Sequence, residues 1–148
     1  MKNSLAVITF ALITAIFCLP AGAQKCLEYG KPVSLTGTLH SRVFAGPPNY
    51  ESIRRGDRKE IAIILTLAVP TCTTGNDPMG YDVSHSNIRE MQLLVYNDEK
   101  WKNDQEWKTV RQRMGKLVVV TGTLFGAHTG HHRTKVLIDV TAIRKPRT

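Results

Sequence analysis

Val33-Ser-Leu-Thr-Gly-Thr-Leu-His-Ser-Arg-Val43 alternates apolar and polar residues, which sets Val33, Leu35, Leu39 and Val43 on one face of an extended strand. Gly37 interrupts that face, and a glycine inside a strand marks a bulge or a sharp bend. The signal recurs in Val118-Val-Val-Thr-Gly-Thr-Leu124, which repeats the Thr-Gly-Thr-Leu core in the same apolar phase. Two strands that bend alike are what a small barrel requires.

Between them, a second strand is predicted from Glu60 to Val69. Its run Ile61-Ala-Ile-Ile-Leu-Thr-Leu-Ala-Val69 is apolar enough to expect cover on both faces, and Pro70 is expected to end it. A third runs from Ile88 to Tyr96, with Met91, Leu93 and Val95 inward and Glu90 and Gln92 outward. The period then changes. Trp107, Val110 and Met114 share one helical face, Asn103 suits an N-cap with Glu106 three residues on, and Gly115 is a natural stop, so a helix is predicted over Asn103 to Met114. Strands Lys116 to Phe125 and Thr134 to Ile143 complete the order β-β-β-α-β-β. The predicted fold class is mainly β: a five-stranded OB-fold-like barrel with one helix between strands 3 and 4. A sandwich would leave that helix without a place.

Ahead of the domain, Lys2, the apolar stretch Leu5 to Leu19 and the small residues Ala21-Gly22-Ala23 read as a signal peptide over 1–23, cleaved near Ala23. Pro20 and Gly22 cut the run too short for a retained membrane span. The expected mature chain, 24–148, is one domain and is periplasmic or secreted. Cleavage removes Cys18 and leaves Cys26 and Cys72 in an oxidising compartment, where such a pair forms a disulfide. The whole sequence carries 20 Lys and Arg against 12 Asp and Glu, a net charge of +8, and loses only Lys2 on cleavage. That balance favours anionic partners or simply solubility.

Two predicted loops hold the unusual residues, and in OB-folds these two connections bind ligands. The first, 44–59, is long for a hairpin. Gly46-Pro47-Pro48 stiffens the backbone ahead of Asn49, Tyr50 and Glu51, and Arg54, Arg55, Arg58 and Lys59 add positive charge. The second, 126–133, holds His128, His131 and His132, three of the five histidines. Imidazole is a common zinc or copper ligand, although adjacent His131 and His132 point to opposite faces of an extended segment, so His40 or Glu51 would have to complete a site. The other reading is that these histidines hydrogen-bond and pin the two loops together. No glycine-rich phosphate loop, His-Glu-x-x-His or serine elbow is present. Sparse aromatics argue against nucleic acid, whose bases stack on exposed rings.

At these same segments the sequence resembles a bacterial family of exported proteins known as domain of unknown function 4431. The resemblance rests on Leu35-Thr-Gly-Thr-Leu39, Gly46-Pro-Pro-Asn-Tyr-Glu-Ser52 with Gly56-Asp57, Val69-Pro-Thr-Cys72, Ile88-Arg-Glu-Met-Gln-Leu93 and Gly122-Thr-Leu-Phe-Gly-Ala-His-Thr-Gly-His-His132. It implies an exported domain and carries no catalytic residue across. The polar stretch Thr73 to Ser86 reads as a surface loop.

The expected function is a noncatalytic periplasmic binding or interaction module. Its ligand-binding residues are Asn49, Tyr50, Glu51, Arg54, His128, His131 and His132, and its partner is a small molecule, an anion or a periplasmic protein. The first alternative is a structural or hydrolytic zinc or copper site on His128, His131 and His132. A weaker one is anion or single-stranded nucleic-acid binding by the basic loop.

Overall fold

A computed structural model describes residues 25–95 and 104–147. The expected signal peptide at 1–23, the Tyr96 strand end and the Asn103 cap lie outside the described residues, as do the side chains of Glu106 and Trp107. The elements are β1 (Leu27–Glu28), β2 (Pro32–Ala45), β3 (Lys59–Asn76), β4 (Val83–Leu94), α1 (Asp104–Arg113), β5 (Leu117–Gly126) and β6 (Val136–Arg144). The chain is mainly β, with one six-stranded sheet in the order β1-β3-β2-β5-β6-β4 and an additional β3–β4 pairing. Among the five longer strands every pairing is antiparallel except β4 with β6. No helix among the described residues is long and apolar enough to cross a membrane.

The sheet has six strands where the sequence predicted five. The extra one, β1, is two residues long and lies parallel to β3, Leu27 opposite Thr73. The Cys26–Cys72 disulfide fastens it there. Two residues are too few for alternation to register.

Gly37 sits where β2 exchanges neighbours, since β2 pairs with β5 over Pro32–Thr38 and with β3 over Gly37–Ala45. A Cβ at Gly37 would collide with the Thr66 carbonyl oxygen, and one at Gly122 would collide with that of Asp139. Gly122 also adjoins a register shift in the β5–β6 ladder. The repeated Thr-Gly-Thr-Leu segment therefore marks two places where a neighbouring backbone comes too close for any side chain. Inside, Leu39, Leu65, Met91, Val118, Val120, Leu124, Val136, Ile138 and Val140 form the buried core.

Several sequence expectations are corrected. Val43 is 46% exposed, and β3 is covered on both faces only in its middle, at Ile64 and Leu65, while Ile61 and Val69 are 68% and 65% exposed. One sheet and one short helix cannot shield the outer face along the whole strand. Pro70 does not end β3. Register shifts between Thr66 and Thr71 and between Thr71 and Thr73 accommodate its missing N–H, so the strand continues to Asn76. The stretch Thr73 to Ser86 is accordingly no loop but two hairpin arms, joined by a turn in which the Asp77 carboxylate accepts from the N–H groups of Met79 and Tyr81 at 3.2 and 3.1 Å. Gln92, expected outward, is 5% exposed. The helix packs Val110, 1% exposed, into the interior and stops at Gly115, whose φ of 72° is easy only for glycine. The Gly115 N–H donates to the Leu39 carbonyl at 2.8 Å, tying the helix end to β2.

Candidate functional site

The loop after β2 is organised by one carboxylate. Asp57, 5% exposed, accepts from the backbone N–H groups of Asn49 (2.9 Å), Glu51 (2.8 Å) and Ser52 (2.7 Å). The bonds from Ser52 and Asn49 hold its carboxyl below the usual carboxylate range. Tyr50 lies between two of these anchored N–H groups, and its own N–H donates to the Gly46 carbonyl at 2.9 Å. Its φ is 60°, a left-handed conformation that an aromatic residue adopts only when its surroundings dictate it.

The histidine loop opposite closes as a hairpin, with the Ala127 N–H donating to the Lys135 carbonyl at 3.1 Å. Buried Gln92 on β4 anchors its base: the side-chain amide donates to the His131 carbonyl at 3.2 Å and accepts from the Arg133 N–H at 2.5 Å. The Thr134 hydroxyl oxygen accepts from the Gln92 N–H at 2.8 Å.

The two loops meet. His131 Nε2 lies 3.0 Å from the Tyr50 hydroxyl and its Nδ1 lies 2.9 Å from Glu60 Oε1. Burial raises the Glu60 carboxyl, but hydrogen bonds from Arg133 and His131 outweigh it and leave its pKa below the usual range. Ionised Glu60 can only accept, so Nδ1 donates to it, and in the neutral ring Nε2 then accepts the Tyr50 proton. Arg133, its side chain only 9% exposed, donates to Glu60 Oε2 at 2.5 Å. Its guanidinium lies 5.3 Å from the Phe44 ring centroid and 5.4 Å from that of Tyr50. Gly130 lies under the Tyr50 ring, where a Cβ would press on the ring carbons.

The three histidines do not converge. His131 turns to Tyr50 and Glu60, whereas His128 and His132 stack edge to face, 4.5 Å between centroids, beside Phe125. His128 Nδ1 donates to the Gly126 carbonyl, and the His128 N–H donates to His132 Nδ1, each at 3.0 Å. Burial, then His128 and His131, lower the His132 pKa. Among the described residues no group of three or more His, Cys, Asp or Glu side chains is placed to hold a metal ion. Glu51 turns outward to Arg55 at 2.9 Å, and His40 is exposed on β2 opposite Ile64. Asn49 and Arg54 are exposed at the margin of the loop.

Sequence reasoning missed Glu60, Arg133, Gln92 and Asp57. Glu60 and Arg133 are oppositely charged residues at the margins of the two suspect loops, and that pairing was the available signal. Gln92 gave none, because a polar residue in alternation reads as outward.

Residues 90–144 match a family model described as Domain of unknown function (DUF4431). The DUF4431 match takes in Gln92, the histidine loop and Arg133, while Tyr50, Asp57 and Glu60 precede it. No curated protein and no solved structure matches the chain.

Proposed function

We propose that this chain is an exported binding module built on an OB-fold barrel, with its ligand site on the rim formed by loops 44–59 and 126–133. The strand order and the parallel β4–β6 pairing support the barrel: the pairings lead from β3 through β2, β5, β6 and β4 back to β3. The observation that carries the site is the Tyr50–His131–Glu60–Arg133 network, which fixes two loops distant in sequence into one surface. A rim ordered before binding loses little conformational entropy when a ligand arrives. The side chain of His131 is 58% exposed, and the loop that carries Tyr50 also exposes Asn49, Arg54 and Arg58, which add hydrogen-bonding and cationic groups. Small molecules, anions and periplasmic proteins with a negative surface fit such a rim. The signal-like start supports a periplasmic or extracellular module, and intact mass of the exported chain should show Gln24 as its first residue.

The test compares mature wild type with an Asn49→Ala/Arg54→Ala/His131→Ala variant of similar thermal midpoint. Loss of partners recovered from periplasmic extract, and of ligands found by thermal-shift screening, supports the rim. An unchanged set of partners and ligands rejects it.

A further inference from the structure

β4 runs from Val83 to Leu94, yet it pairs with β6 only at Gln92, Leu93 and Leu94. Over the rest of its length β4 pairs with β3 on one side, and no strand among the described residues pairs with the other. The cause lies in the hairpin base, where Thr134 gives its hydroxyl oxygen to the Gln92 N–H and postpones β6 until Val136. The opening is a cleft of about 500 Å³, with residues 84–90 on one wall and 133–135 on the other.

Its charge is one-sided. Glu90, the carboxylate in the lining, is held by both Arg42 guanidinium nitrogens at 2.9 and 2.6 Å, and Arg133 is committed to Glu60. Arg89 and Lys135, both exposed, remain as the charges a ligand would meet. Cations also blunt sheet edges against aggregation, but a merely blunted edge faces open solvent, whereas this one faces a second wall.

We infer that the β4 edge between Val83 and Met91 is a docking groove for an extended acidic peptide segment of a partner protein, which adds as a further strand. Main-chain hydrogen bonds to the free edge supply affinity, and Arg89 and Lys135 select for carboxylates on the peptide. Asn87, with a φ of 52°, sits at the register shift between the Thr71–Ile88 and Thr73–His85 pairs and bends the edge. A peptide of about seven residues, at roughly 3.3 Å each where extended, therefore follows Ser84–Glu90 with a bend opposite Asn87. The groove shares only the Arg133–Lys135 segment with the Tyr50 rim and stands independently of it.

The experiment is fluorescence anisotropy of mature protein with a labelled heptapeptide alternating Glu and Val. Two comparators accompany it, one with Lys for Glu and one with alternate backbone amides N-methylated. Saturable binding of the Glu peptide is expected, with each comparator at least about tenfold weaker. An Arg89→Glu/Lys135→Glu variant, shown folded by circular dichroism, is expected to lose at least about tenfold for the Glu peptide and to gain the Lys peptide. Equal binding of the N-methylated peptide would reduce the groove to a collector of charge, and indifference to the double reversal would put the peptide elsewhere. Absence of saturable binding overturns the proposal. So does a concentration-dependent dimer, seen by sedimentation and dissolved by the double reversal, because it gives the edge to a second copy.

Discussion

Replacing Glu60 by Gln removes the one charge shared by Arg133 and His131 while keeping the side-chain volume. Orphaning one partner of a fully buried pair costs about 3–5 kcal/mol, and an exposed pair contributes roughly 0–1 kcal/mol. The Arg133 side chain is 9% exposed and that of Glu60 27%, so the expected loss falls between, at about 2 kcal/mol. For a domain of this size that lowers the thermal midpoint by about 8 °C. Arg133→Met keeps an unbranched stem against Phe44 and Tyr50, so the Glu60→Gln/Arg133→Met double variant should lose less than the two single losses together, with a coupling of about 1 kcal/mol or more. The pH dependence has a fixed sign. The Glu60 pKa is lowered on folding, so its contribution is present above the unfolded value, near 4.3, and lost as pH falls through the folded one. Denaturation curves from about pH 7 to about pH 3 should therefore show the gap between wild type and Glu60→Gln closing toward acid. A midpoint shift below about 2 °C, additive single losses or a gap that widens on acidification would refute the anchoring role.

Gln92→Leu should lower stability by about 1–3 kcal/mol, because the Arg133 N–H and His131 carbonyl lose their side-chain partner, and NMR should show the His131 and His132 ring resonances shifted. Gly122→Ala forces the Asp139 carbonyl aside and should cost about 1–3 kcal/mol in urea denaturation, whereas Gly80→Ala, with nothing near the added carbon, should be limited to its positive-φ strain. Reducing the disulfide, or replacing Cys26 and Cys72 by Ser, should cost about 4 kcal/mol on the loop-entropy account, given their 46-residue separation. A chelator should leave the thermal midpoint of untagged protein unchanged; a fall reversed by zinc would restore a metal reading of the histidines.

Alternation and the helical period sufficed for the long elements because they reflect which side chains avoid water, a choice made residue by residue. Val33, Leu35 and Leu39 lie on the predicted inward face, and the chain turns helical between β4 and β5. What alternation misses depends on neighbours far along the chain. β1 exists because Cys72 holds Cys26 beside it, and β3 passes Pro70 because bulges absorb the proline. The opposed directions of His131 and His132 followed from their adjacency alone. That Gln92 reaches into the interior to hold the His131 and Arg133 backbone is a matter of tertiary geometry, and so is the meeting of Glu60 with both side chains.

The link from Cys26 to Cys72 spans the whole Tyr50 loop in sequence. A protease that severs the chain at the exposed Arg54 or Arg55 would thus release nothing: the halves stay joined covalently through the cystine. The loop would be nicked without coming apart, and the two pieces would separate only under a reductant.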